Sequence, residues 1–522
     1  MAFHRRRTAR TPQLSGITQL MHLAHAARRT HAPPVDELIE MPPARGLTRR
    51  QFLRSSAAMG AGALLLRTGF QGRAQETMPR IAVIGAGIAG VNAAYQLQNA
   101  GFQADVYEAD SRVGGRMFSV TDALVPGLTT EFGGEFINSD HDDVLALVDE
   151  LGLELIDREI PSEAGLRPLD YYFEGRLIPP AEIIELYTPF AAQIEADLTR
   201  LDENYDDVYA EYDALSISDY LDQIGMDGLL RTIIEAAFTY ENGSPASSQS
   251  LLNFLYLMPV IDGDQFEVIG GSDERYKVRG GNQQIPVLLA ERLERGVQLA
   301  HRLEAVREAG SGYRLTFQTD GGVTDVDADT VVFALPFTVL RHVDLGLELP
   351  PELRLAIDTL GYGTSSKVMA GMNSRPWREQ GAMGYSISDS PYVGSWDNAQ
   401  AIPGEAGGVT FFAGGLEALA FATGTAGDAA TRLLLQLEGL YPGVTSAYNG
   451  TAARMHWPSH PWALAGYSSP RPGQADLFDV VSAPHGNLLF AGEHTSADYW
   501  GYMNGGAESG RRAAETLIDL LG

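Results

Sequence analysis

Gly85, Gly87 and Gly90, followed by Glu108 at 23 positions beyond the first, have the types and spacing to hold a phosphate-linked pair of nucleosides. The chemistry is electrostatic. Backbone N–H groups and the positive end of a helix would face a pyrophosphate, and the carboxylate would accept hydrogen bonds from a ribose hydroxyl pair. Gly85 would permit a tight turn, Gly87 a close approach of backbone to phosphate, and Gly90 close packing of helix on strand. To place these groups the chain needs a strand, a turn, a helix and a second strand. Ile81 to Ile84 is a β-branched run, helical apolar spacing follows from Ile88, and Ala104 to Tyr107 is a second run that ends at Glu108. A lone GxGxxG in a glycine-rich chain is weak, but strand, turn, helix, strand and acid in this order make it a dinucleotide site. NAD and FAD both stay open on these residues.

A second glycine turn with two guanidiniums, Arg112-Val113-Gly114-Gly115-Arg116, comes directly after the acid and suits a long, bent cofactor. Here the sequence resembles the flavin-containing amine oxidase family, whose E-x-x-x-R-x-G-G-R extension is matched by Glu108, Arg112, Gly114, Gly115 and Arg116, with Ala109 beside the acid. The resemblance favours FAD. It recurs at Glu131-Phe132-Gly133-Gly134-Glu135-Phe136-Ile137-Asn138, which in the family passes beside the flavin ring. It recurs again at 273–282 and at Leu303, the position whose backbone holds the adenine. The last match is Gly492-Glu493-His494 with Gly501-Tyr502-Met503, opening a final helix whose N-terminus would stabilise negative charge on the flavin. The implied fold is α/β: a Rossmann-like, monoamine oxidase-like FAD-binding domain (78–160, 275–335 and 455–522) interleaved with an α+β substrate domain (161–274 and 336–454).

The same resemblance implies roles near the ring. Lys367, on an expected strand, would hold a water against flavin N5 and favour electron transfer to oxygen, with Trp377 ten residues on packed near the ring. Tyr502 aligns with one wall of an aromatic pair that orients the substrate amine. The opposite wall falls at Gly466, so Tyr467, Trp462 or Trp500 would supply it. Ala465 stands where the family carries its flavin-linking cysteine, and the chain has no cysteine, so FAD would be noncovalent. Asn138, where polyamine-oxidising relatives carry an acid or histidine, favours a monoamine. Phe136 replaces the arginine that clamps a substrate carboxylate in one branch of L-amino-acid oxidases, and Glu135 beside it favours a cationic substrate if it points inward.

Composition narrows the classes further. The chain has 522 residues, 44% apolar and 20% charged, with a formal charge of −29. Residues 1–74 hold twelve arginines and three acids, about +9, which leaves about −38 on the rest. An acidic body excludes nucleic acid as a partner. His456 and His460 have ligand-like spacing, but Pro458 interrupts any helix and no third ligand accompanies them, so no metal is expected. Arg49-Arg50-Gln51-Phe52-Leu53 before an apolar run at 57–66 has the form of a twin-arginine export signal, with residues 1–76 as leader. That run is too short for a permanent membrane span. The expected location is the periplasm or outside the cell, and the roughly 45 residues before the signal are expected either to lack structure or to reflect a misassigned start. The expected reaction is oxidation of an amine to an imine, then aldehyde or ketone plus ammonia, with oxygen reduced to hydrogen peroxide. A homodimer is compatible with the sequence. The rivals are an L-amino-acid oxidase using another cation such as Arg279 or Arg454, and a dehydrogenase passing electrons to a quinone or cytochrome.

Overall fold

The computed structural model describes residues 12–28, 78–257, 260–262, 265–267 and 272–521. Ile81–Ile84 is buried along its whole length, as a central parallel strand must be. It lies third in a five-stranded parallel sheet ordered Val297–Gln298, Ala104–Tyr107, Ile81–Ile84, Thr330–Phe333, Leu488–Phe490. Separate passages of chain therefore build one nucleotide sheet. The helices Ile88–Asn99 and Met503–Leu521 pack on each other through small residues. A Cβ on Gly510 would lie 2.2 Å from the Ala89 carbonyl oxygen and one on Gly506 2.7 Å from Ile88 Cγ2. That contact sets two helix N-termini side by side.

Residues 297–306 do not form one strand. The chain instead leaves the nucleotide sheet after Gln298 and turns at Ala300, whose φ is +53°. It then enters an antiparallel sheet as Arg302–Ala309. The Ala300 and His301 N–H groups are spent on the Asp110 and Glu108 carbonyls, which ties this turn to the acid at the end of the second strand.

A seven-stranded sheet forms the other half, ordered Tyr448–His456, Ser366–Met372, Gly407–Ala413, Gly394–Asp397, Ser386–Ser388, Asp170–Phe173, Arg176–Leu177. Ser366–Met372 is buried throughout and antiparallel to both neighbours, in a register that sets Lys367 beside Phe412 and Met455. The helices Pro180–Glu203 and Gly228–Asn242 bury Ile183, Ile184, Tyr187, Ile233 and Ile234 in one apolar cluster with Ile387 of this sheet.

The expectation that the first 45 or so residues lack structure is overturned at residues 12–28. Pro12–Ala27 is a helix whose Ile17, Leu20, Met21 and Ala24 are buried in that same cluster. A Cβ on Gly16 would stand 2.7 Å from Tyr171 Oη, so the helix lies hard against the sheet. His22 and His25 are buried with it. Burial, then the neighbouring His25, holds the His22 imidazole down at about 3, and burial, then Arg28, holds His25 at about 4. Glu195 is 3.9 Å from His25 Nδ1 and would favour the cation, but Arg28 shares that carboxylate at 3.5 Å. A free helix takes up these protons near pH 6.5 and the docked one does not. Docking is therefore strongest above pH 6.5 and weakens as pH falls toward 4, by up to about 1.4 kcal/mol per pH unit for each histidine. Hydrogen-exchange protection over residues 12–28, corrected for the intrinsic pH dependence of exchange, is expected to fall selectively at pH 5 relative to pH 7.5, and an equal loss of protection across the chain would contradict this. The Arg49-Arg50 motif and the apolar run at 57–66 lie outside the described residues.

Candidate active site

A cavity of about 660 Å³ connects the two sheets. At its nucleotide end the wall is formed by Gly85, Gly87, Glu108, Ala109, Gly115, Arg116 and Leu303. Gly85 has φ +105°, and a Cβ there would sit 2.6 Å from the Ala334 carbonyl oxygen, so the turn needs glycine. A Cβ on Gly87 would meet nothing within 4 Å and would project into the opening. Ile88–Asn99 begins at Gly87 without a side-chain cap, which leaves its first N–H groups directed at the cavity. The Glu108 carboxylate accepts from the N–H groups of Ala86 (2.7 Å) and Asp110 (2.8 Å). Burial pushes this carboxyl up and the two N–H groups oppose the rise.

The other end of the cavity is bounded by Lys367, Ser365, Phe412, Trp457, Trp462, Tyr467 and Tyr502. The Lys367 ammonium donates to the carbonyls of Glu131 (3.1 Å) and Gly133 (2.8 Å) and to Glu135 Oε2 (2.9 Å). Glu135 Oε1 accepts in turn from Lys277 Nζ at 2.6 Å. Burial alone would raise the Glu135 carboxyl, but Lys277 and then Lys367 hold it at about 2. Glu131, behind the same backbone, is pushed up to about 7 by burial against the hydrogen bonds from Ser119 and Asn282.

Glu493 fixes the two tyrosines. Its Oε1 accepts from Arg116 Nη1 (2.8 Å) and the Ser468 N–H (3.1 Å), and its Oε2 from Ser468 Oγ and the Gly501 N–H (2.7 Å each). Ser468 follows Tyr467 and Gly501 precedes Tyr502, so one buried carboxylate sets the backbone on both sides of the cavity. Burial would raise this carboxyl, but Arg116, then His494 and the Ser468 hydroxyl, hold it at about 2. The Tyr467 hydroxyl donates to the Glu241 carbonyl at 2.7 Å, and the Tyr502 ring meets His141 edge-on at 4.9 Å. Gly466 cannot carry an aromatic wall. A Cβ there would stand 2.8 Å from Ser365 Cβ and Oγ, and Tyr467, one position on, lies on the wall instead.

Gly133, Gly134, Gly492 and Met503 complete the wall near Lys367. Several expected site residues lie elsewhere. Trp377 is fully buried in the short helix Pro376–Glu379, where its Nε1–H is bound to Asp397 Oδ2 at 3.0 Å, so it packs in the substrate-side core and not against a cofactor. Trp500 packs on Phe478 (5.9 Å between rings) off the cavity. Phe136 is covered by the Arg158 guanidinium at 4.3 Å and does not face substrate. Glu135 stands behind Lys367, turned away from the opening by its two ammonium partners. Asn138 Oδ1 accepts from Ser272 Oγ and the Glu274 N–H, and the Asn138 backbone N–H donates to His141 Nδ1, so this position braces the histidine behind Tyr502. Arg112 donates to the Gly115 carbonyl (2.7 Å) and shapes the second glycine turn without lining the cavity. Gly90 is also off the wall, in a helix–strand contact where a Cβ would lie 1.9 Å from the Gly85 carbonyl oxygen. Reasoning from sequence missed Lys277, Phe412 and Ser365. Among the described residues no group of three or more His, Cys, Asp or Glu side chains could hold a metal, and no helix is long and apolar enough to cross a membrane.

These features together fit FAD. An uncapped helix end and a glycine with open space above it suit the pyrophosphate, and the unpartnered Ser365 Oγ, with the positive charge of Lys367 on the same wall, suits a polar ring edge. Fold and site define a dinucleotide-binding protein. The sequence profile of the flavin containing amine oxidoreductases matches residues 88–518, and the chain belongs to that family. Its cofactor is FAD. The chain is 26% identical to polyamine oxidase 5 of Oryza sativa subsp. japonica over 477 residues (88% of this chain, 91% of the relative). It is 24% identical to an L-amino acid dehydrogenase of Synechocystis sp. over 463 residues (84% and 94%). Among solved structures, cyclohexylamine oxidase from Brevibacterium oxydans IH-35A superposes with a TM-score of 0.71 at 22% identity, over 85% of this chain and 99% of that one.

Proposed function

We propose that the chain oxidises small monoamines to imines, with oxygen as acceptor and hydrogen peroxide as product. The bound flavin supplies the hydride-accepting and electron-passing chemistry. The residues of the chain supply a dry, aromatic-walled chamber that orients a neutral amine between Tyr467 and Tyr502, with Phe412 and Trp462 on the remaining sides. The Lys367 ammonium adds a fixed positive charge at the closed end, where charge develops on reduction of the acceptor. With no cysteine in the chain a thioether link cannot form, and the site would hold FAD noncovalently.

One observation carries the choice of amine over amino acid. Among the described residues, the substrate end of the cavity presents no uncommitted guanidinium. Arg116 is committed to Glu493 and the Gly466 carbonyl. Arg279 pairs with Glu154 at the surface, and Arg454 donates to the Phe421 and Gly424 carbonyls. A substrate carboxylate entering here would be desolvated without a partner. The test is anaerobic bleaching of the purified yellow protein by alkyl and arylalkyl monoamines, putrescine and L-amino acids, followed by peroxide assay in air. Monoamines are expected to bleach it fastest. Bleaching by L-amino acids alone would overturn the substrate class, and bleaching by monoamines without peroxide would favour a quinone or cytochrome acceptor.

Export by the twin-arginine route to the periplasm or beyond is part of this proposal. It is supported by the Arg49-Arg50 motif and suits a protein that takes up its flavin before crossing. Cleavage near residue 76 would sever the docked N-terminal helix from the body. Intact-mass measurement of the exported protein would reveal whether that helix stays bound.

A further inference from the structure

We infer that Lys277 is a positioning residue for Lys367: through the shared Glu135 carboxylate it keeps the charge cluster behind the cavity at a net of one positive charge. Three observations place it there. Tyr276–Val278 pairs antiparallel with Leu155–Asp157, and Tyr276 is bridged to Ile137, which brings the lysine side chain over the 131–138 segment. Lys277 Nζ then reaches Glu135 Oε1 at 2.6 Å while Lys367 Nζ holds Oε2 at 2.9 Å. All three side chains are nearly excluded from water, at 9%, 3% and 6% exposure for Lys277, Glu135 and Lys367.

A buried lysine paired one-to-one with a carboxylate presents almost no net field to its surroundings. Two lysines on one carboxylate present a whole positive charge at short range in a medium of low effective dielectric. Lys277 is not among the residues that line the cavity, sits 5.1 Å from the Phe136 ring centre, and among the described residues has Asn398 O (3.4 Å) as its further acceptor. Its influence on the reacting atoms must pass through Glu135 and Lys367. Arg158 and Glu274 pair at 3.9 Å, with Arg158 over the Phe136 ring at 4.3 Å, and the Glu131 carboxyl beside the cluster, pushed up to about 7 by burial, is mostly neutral at pH 6. The inference rests on the reading that FAD lies against Lys367.

The test is the midpoint potential of the bound flavin, measured by dye-coupled titration in wild type, K277M, K277R and E135Q holoenzyme at pH 6. Loss of a positive charge in K277M is expected to lower the potential, shifting the reduced-to-oxidised ratio at a fixed poise by about tenfold. E135Q raises the net charge and is expected to shift the ratio the other way, and K277R is expected to restore the wild-type value. A merely structural role for Lys277 predicts shifts of the same sign in K277M and E135Q, or none, and either result would overturn the inference. Where K277M fails to hold flavin, the opposed sign in E135Q and the wild-type value in K277R still decide it. A wild-type protein that no amine bleaches would instead sink the functional reading, and this one with it.

Discussion

Lys367→Met is expected to slow reoxidation of the reduced enzyme by oxygen by about 100-fold, the order of loss for removing a preorganised positive charge beside developing negative charge in a dry site. The geometry explains why the loss should be large. All three N–H groups of the ammonium are engaged, by two backbone carbonyls and Glu135, so the charge is held on the cavity wall without conformational freedom. Methionine has similar length and no charge. It leaves the Glu131 and Gly133 carbonyls bare and Glu135 neutralised by Lys277 alone. Anaerobic reduction by amine relies on the aromatic chamber and should suffer much less. Stopped-flow measurement of the two half-reactions separates these effects. Equal losses in both would mean that the substituted side chain disturbs the chamber, and no loss in reoxidation would remove Lys367 from the oxygen step.

The nucleotide end was legible in the sequence because its geometry is local. Gly85, Gly87, Gly90 and Glu108 fall within one strand–helix–strand unit, and the hydrogen bond from Ala86 to Glu108 spans only 22 positions. The ring end is assembled from contacts between distant segments: Glu135 to Lys277 across 142 positions, Lys367 to Glu135 across 232, Arg116 to Glu493 across 377. No periodicity reports such pairs, so Lys277 passed as part of a glycine motif and Phe412 as one apolar residue among many. Register, not spacing, brings Phe412 beside Lys367. Trp377 shows the converse error. A spacing of ten residues from Lys367 carries it past the end of the strand into a short helix, where Asp397 claims its ring nitrogen. At the N-terminus the arginines, histidines and prolines suggested a stretch without structure. Yet Ile17, Leu20, Met21 and Ala24 follow the i, i+3, i+4, i+7 spacing of a buried helix face, a signal that composition obscured.

Glu493→Ala is expected to cost about 3–5 kcal/mol, because it strips one partner from a buried ion pair and leaves four donors without an acceptor. The same change frees the backbone before Tyr502 and after Tyr467, so amine affinity should fall together with stability. The pH dependence supplies an independent check. The carboxyl is held at about 2, well below its usual 4.5, so the stability it confers is complete above pH 4.5 and is lost as pH falls toward 2. A shift of that size corresponds to about 3 kcal/mol, in line with the cost of truncation. Glu493→Gln keeps the shape and removes the titration. Its unfolding free energy should lie below wild type at pH 7, and the two curves should converge as pH approaches 2. Denaturant melts of holoenzyme from pH 7 downward measure this, and curves that stay parallel across the whole window would mean that Arg116 and Ser468 find other partners and that the two tyrosines are fixed by something else.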